Sequence, residues 1–124
     1  MQVGEPKRGF IPATPIDAAL RLLALAAVVP VMEELFWRSF LMRWIAARDF
    51  LALDPRRAGP AAFALSSALF ASEHSLWLAG LLAGVAYAWV YRRSGNLWTA
   101  ILSHAITNAA LGTYVLATGS WQFW

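Results

Sequence analysis

The sequence predicts an all-α protein, a polytopic transmembrane helix bundle of about four helices with a long, proline-kinked first helix. Three observations carry this. The chain is 60% hydrophobic and only 14% charged, whereas soluble domains run at about 45–50% apolar and about 25% charged. Seven tryptophans and a mean hydropathy of +0.54 place it in a membrane class. Its apolar stretches are helix-length and are separated by short clusters of Pro, Gly and Arg.

The 124 residues allow one domain. We divide them into a polar lead-in, 1–13, and a single transmembrane unit, 14–124. The lead-in begins "MQVGEPKRGF" and has no apolar core of the signal-peptide kind. Lys7 and Arg8 are expected at a membrane surface, with Phe10 and Ile11 dipping into the interface. "TPID" is a helix start: Thr14 as N-cap, Pro15 at the first helical position, Asp17 in the first turn. Nothing stops this helix before about Arg48. Pro30, which lacks a backbone donor, should kink it. A helix of about 34 residues is roughly 50 Å long, enough to cross a bilayer and protrude.

Residues 48–60 form a connection rich in Pro, Gly and Arg. A second helix is expected over 61–74, short unless "SEHSLW" continues it. A third is expected over 75–91, a stretch without charge. "RRSGN" should end it, with Gly95 available for a left-handed cap. A fourth is expected over 97–118. The tail "WQFW" reads as an interfacial aromatic belt. "GLLAG", with Gly80 and Gly84, presents a small-residue face for packing against another helix of the bundle.

Composition also excludes classes. With no cysteine there is no disulfide and no thiolate metal site. The net charge of +3 comes without a basic, aromatic-laced stripe, so nucleic acid is not an expected partner. Arg43, Arg48, Arg56, Arg57, Arg92 and Arg93 cluster at the two connections. The positive-inside rule therefore puts 48–60 and 92–96 in the cytoplasm.

The informative residues are the polar ones inside apolar helices. They come as pairs four apart, which share a helix face: Glu34 with Arg38, Phe70 with His74, His104 with Asn108. Glu33 adds a neighbouring edge. Measured from the arginine-rich end, Glu33 lies roughly 22 Å deep, Arg38 roughly 15 Å, His74 about 21 Å and Asn108 about 17 Å. Three helices thus deliver polar faces to overlapping depths, as a shared, water-accessible cavity requires. At about 100° per residue, Arg38 is about 40° around the helix from Glu34 and about 140° from Glu33. Arg38 should therefore pair with Glu34 and leave Glu33 free.

"EELFWR" fits EExxxR, "FASEH" fits FxxxH and "HAITN" fits HxxxN. In this order and spacing, over roughly 28–118, the chain resembles the CPBP (ABI, CAAX protease) family of intramembrane endopeptidases. The context "VPVMEELFWR" looks closest to bacterial CAAX prenyl protease-related proteins. The resemblance implies hydrolysis of a peptide bond in a membrane-associated protein or peptide, by a glutamic, metal-independent mechanism without a cofactor. By the same resemblance, Glu33 and His74 activate the attacking water, and His104 and Asn108 hold the oxyanion. Glu34 and Arg38 complete the first motif, and Phe70 packs the site beside the substrate. The implied location is the bacterial plasma membrane, and the implied partners are membrane lipid and a peptide substrate. The oligomeric state stays open.

The residues themselves agree with hydrolysis, which needs a base for water and donors for the developing oxyanion. No serine has a placed acid–base relay, and HExxH is absent. Each motif alone also has a structural reading. Glu34 with Arg38 is compatible with a structural salt bridge, His104 and Asn108 with interhelical hydrogen bonds, His74 with an interfacial site, and Phe70 with packing. Glu73 reads as an interfacial charge. The rival function is a non-enzymatic peptide-binding or bacteriocin-immunity protein using the same cavity.

Overall fold

The computed structural model describes residues 10–124; the positions expected for Lys7 and Arg8 lie outside them. Helix α1 runs Pro15–Ala46. Its start is a capping box: the Asp17 amide donates to the Thr14 hydroxyl oxygen at 3.1 Å, and the Thr14 amide to the Asp17 carboxylate at 3.0 Å. It ends where Ala47 turns extended, short of the expected Arg48. Two stretches, Ala24–Val28 and Leu35–Met42, widen into π-type turns. The first is where Pro30 acts. The Val29 amide bonds to the Ala24 carbonyl five residues back. Pro30, continuing that register, has no N–H to give to Leu25.

Helix α2 is Pro60–Ser72. It does not continue through "SEHSLW": the chain turns over 73–76 before α3, Trp77–Ser94. Arg92 and Arg93 lie inside the last turn of α3, where cations suit the helix dipole, and Gly95 caps it at φ 68°. Helix α4 is Leu97–Thr118, capped by the Asn96 side chain on the Trp98 amide at 3.0 Å and closed by Gly119, also at φ 68°. The connection between α1 and α2 is pinned by Arg43, which donates to the carbonyls of Leu51 and Leu53 at 2.9 and 3.1 Å.

The described residues therefore form a bundle of four helices, as expected. Helices α1 and α4 are long and apolar enough to cross a membrane. Only 6% of α1's most apolar stretch is buried, so it is not the core helix of a water-soluble domain. Ile16, Leu20, Leu23, Met32, Leu82 and Ile106 are each more than half exposed, an outer surface suited to lipid. Helix α2, with 13 residues, is about 20 Å long and falls short of a bilayer core.

The core forms where α2 and α3 approach. Side chains at Gly84 and Gly80 would not fit: a Cβ there would lie 2.9 Å from the Phe70 ring and 2.9 Å from His74, respectively. The glycine face expected for bundle packing thus seats both residues of the second motif. Trp37, Met42, Phe70, Tyr87 and Tyr91 fill the space beneath.

Candidate active site

All four helices and one turn build the site. Glu34 and Arg38 are fully buried on α1, with Arg38 Nε 3.3 Å from Glu34 Oε2. The contact is an ion pair rather than an aligned hydrogen bond. Arg38 Nη2 donates to the Gly84 carbonyl of α3 at 3.1 Å, and its guanidinium sits 4.7 Å from the Phe70 ring centroid. One arginine therefore joins α1, α2 and α3.

His104 on α4 brings the two glutamates together. Its Nδ1 lies 2.8 Å from Glu34 Oε1, and its Nε2 lies 3.8 Å from Glu33 Oε2. A carboxylate accepts only, so Nδ1 carries the proton. The second contact is too long for a hydrogen bond. Glu33 keeps 30% of its side chain exposed, whereas Glu34 is spent on Arg38 and His104.

His74 lies in the turn just past α2. Its Nδ1 is 2.8 Å from the Phe70 carbonyl near the end of α2, which also accepts from the Glu73 amide at 3.4 Å. Because a carbonyl cannot donate, Nδ1 holds the hydrogen and Nε2 of the neutral ring keeps its lone pair. The Phe70 and His74 rings are 4.5 Å apart.

Asn108, one turn beyond His104, donates from Nδ2 to the Leu25 carbonyl at 2.8 Å. This is the carbonyl that Pro30 leaves without an amide, so the proline of α1 and the third motif are physically linked. The amide nitrogen has a second hydrogen still to give.

Glu33, His74, His104 and Asn108 line one chamber of about 200 Å³, closed on other sides by Leu25, Val29, Gly112, Phe123 and Trp124. A neighbouring chamber of about 380 Å³ shares His74, His104 and Asn108, and adds Phe70, Glu73, Leu76, Ala83, Tyr87 and Thr107. All seven residues singled out from the sequence thus fall in one connected cluster. Among the described residues, no three His, Cys, Asp or Glu side chains form a group able to hold a metal ion.

A family model for type II CAAX prenyl endopeptidase Rce1-like proteins matches residues 15–110, most of the chain. The chain belongs to the Rce1-like family. No curated protein and no solved structure matches it. Membership in the Rce1-like family carries protease activity of the CAAX endopeptidase type, a peptide or protein substrate and residence in a membrane.

Sequence reasoning missed several parts of the site. Tyr87 stacks on His104, with centroids 4.6 Å apart and planes 15° from parallel. Its signal was available: it continues the Gly80, Gly84 face of α3 at helical spacing. Glu73, expected as an interfacial charge, lines the larger chamber. In the tail, expected as an interfacial aromatic belt, Phe123 and Trp124 also wall both chambers. Trp124 is stacked on Trp121 and lies under the Arg21 guanidinium.

Proposed function

We propose that this Rce1-like protein is a glutamic, metal-independent intramembrane endopeptidase in which Glu33 is the base that takes a proton from water. The observation that carries the reading is the division of labour between adjacent carboxylates. Glu34 is fixed by Arg38 and His104, while Glu33 opens onto the chamber without a hydrogen-bond partner for Oε2.

The hydroxide formed attacks the scissile carbonyl, whose oxygen gains negative charge. Asn108 offers its second amide hydrogen to that oxygen, and Leu25 holds the amide in place. His104 donates from Nε2 when its ring carries both protons, with Glu34 accepting from Nδ1. His74, with its Nδ1 hydrogen held by the Phe70 carbonyl, shares the proton handling with Glu33. As the tetrahedral intermediate collapses, the C–N bond breaks and the proton returns to the amine. Metal independence is supported by the buried Arg38 beside Glu34, because a fixed cation there disfavours a second one.

The arginines at 48–60 and 92–96 support placing those connections in the cytoplasm; the bacterial plasma membrane is the location the family resemblance suggests. The test is cleavage of a peptide ending in a prenylated CAAX sequence, and of its unprenylated form, by purified protein in detergent. Wild type is expected to cut at least one, and Glu33→Gln to bind it without cutting. Equal cleavage by both proteins overturns the proposal. Binding without cleavage by wild type assigns the cavity to a peptide-binding role.

A further inference from the structure

Away from the catalytic chambers, a cup of about 360 Å³ is lined by Arg56, Trp89, Arg92 and Arg93. Arg92 and Arg93 come from the last turn of α3, and Arg56 from the short turn Pro55–Arg57. Arg56 is held in place from two sides. Its Nη2 donates to the Ser94 carbonyl at 2.8 Å, and its Nη1 is 3.5 Å from the Asp54 carboxylate. It occupies the space a side chain at Gly95 would need, since a Cβ there would lie 2.7 Å from the Arg56 guanidinium carbon. Gly95 therefore serves twice, as the left-handed cap of α3 and as the slot for this arginine.

Three guanidinium groups thus meet around one cup, and Asp54 is the sole carboxylate paired with any of them among the described residues. Arg92 lies 5.4 Å from the Phe63 ring, and its buried Nε has no hydrogen-bond partner. Like charges brought together at a low-dielectric boundary repel unless an anion joins them. Guanidinium forks match the geometry of phosphate oxygens.

The wall of the cup says which phosphate. Trp89 is 58% exposed, and Leu82 and Val85 continue from it on the same outer face of α3. This apolar stripe leads from the arginines along the helix toward its other end. A free phosphate has no use for it, whereas a lipid lays its acyl chain along it with the head group in the cup. Tryptophan at this level is the usual interfacial residue. Basic pockets at the cytoplasmic ends of helices are suited to anionic head groups. We propose that Arg56, Arg92, Arg93 and Trp89 form a binding site for the phosphate of an anionic phospholipid, with the acyl chain on the Leu82–Val85–Trp89 stripe.

Native mass spectrometry of the detergent-solubilised protein tests this, with phosphatidylglycerol, phosphatidylcholine and inorganic phosphate as separate titrants. Wild type is expected to take up one phosphatidylglycerol in preference to phosphatidylcholine, and inorganic phosphate at equal concentration is expected not to compete. The double variant Arg92→Gln/Arg93→Gln should weaken that uptake about tenfold or more. The exposed Arg93→Gln alone should give a smaller loss in the same direction, independent of any packing defect from Arg92. Arg48→Gln/Arg57→Gln removes the same charge from the same end outside the cup and should leave the uptake nearly unchanged. Equal weakening by the two double variants means a diffuse basic surface and overturns the site. Equal uptake of the two lipids, no effect of Arg93→Gln, or full competition by inorganic phosphate overturns it too.

Discussion

His104 Nδ1 lies 2.8 Å from Glu34 Oε1, and the same carboxylate holds Arg38 at 3.3 Å through its other oxygen. Glu34 is therefore the point where α1 is tied both to itself and to α4, and through Arg38 to the Gly84 carbonyl of α3. This leaves the adjacent Glu33 as the carboxylate available to the chamber.

Breaking the pair from one side should be costly. Arg38→Leu leaves a buried carboxylate uncompensated, which costs about 3–5 kcal/mol, and should abolish cleavage. Glu34→Gln combined with Arg38→Leu should recover much of that stability without recovering activity. Thermal denaturation in detergent of the wild type, both single variants and the double variant measures the coupling. Strictly additive losses would mean that the two residues act independently.

The glycine seats make a second prediction. Ala at 84 places a Cβ 2.9 Å from the Phe70 ring, and Ala at 80 places one 2.9 Å from His74. Each should destabilise by about 1–3 kcal/mol through overpacking. Phe70→Leu should offset the stability loss of Gly84→Ala. Gly80→Ala should lower kcat even in samples that remain folded, because the residue displaced is His74. Parallel melting and turnover assays check both, and unchanged kcat in Gly80→Ala would separate this glycine from the chemistry.

Asn108 and Pro30 should be coupled. Asn108→Ala leaves the Leu25 carbonyl without its donor, at about 1–3 kcal/mol. In a Pro30→Ala background the helix regains a backbone N–H, so the same Asn108→Ala change should cost less. A double-mutant cycle on Tm reads this directly. Activity should stay low in both Asn108→Ala proteins, since the proposed oxyanion donor is gone in each.

Chelation provides a further check. Cleavage should persist in excess EDTA, because a carboxylate base needs no metal-bound water. Loss in chelator with recovery on adding zinc would require a different water-activating group.

Much of this site was legible in the sequence, for identifiable reasons. Spacing of four fixed which residues share a helix face, so the pairing of Glu34 with Arg38 followed from about 40° of separation. Thr14, Pro15 and Gly95 marked helix ends because their chemistry is local. Spacing placed the three polar faces at one depth, but the individual contacts between helices were not legible. Nothing in "HAITN" says that His104 meets Glu34 more closely than Glu33, or that Asn108 reaches Leu25. The π-type turns of α1 escaped notice because they depend on which carbonyls neighbouring side chains can satisfy. Helix α2 ends at Ser72, where the last amides of the segment tighten to carbonyls three residues back, and an aromatic such as Tyr87 on an apolar helix carries no motif of its own. The tail's part in the cavity wall was not legible, because its aromatics suit an interface and a cavity wall equally well.

In the proposed mechanism Glu33 performs chemistry and Glu34 holds structure. Single-turnover cleavage and Tm, measured on the same preparations of wild type, Glu33→Gln and Glu34→Gln, test it most directly. The account predicts that Glu33→Gln keeps a wild-type Tm within a few degrees and loses about 10²–10⁴ in rate, the range for a general base. It predicts that Glu34→Gln lowers Tm markedly. A Glu33→Gln protein that cuts at the wild-type rate, or one whose lost activity is matched by a lost fold, would contradict it.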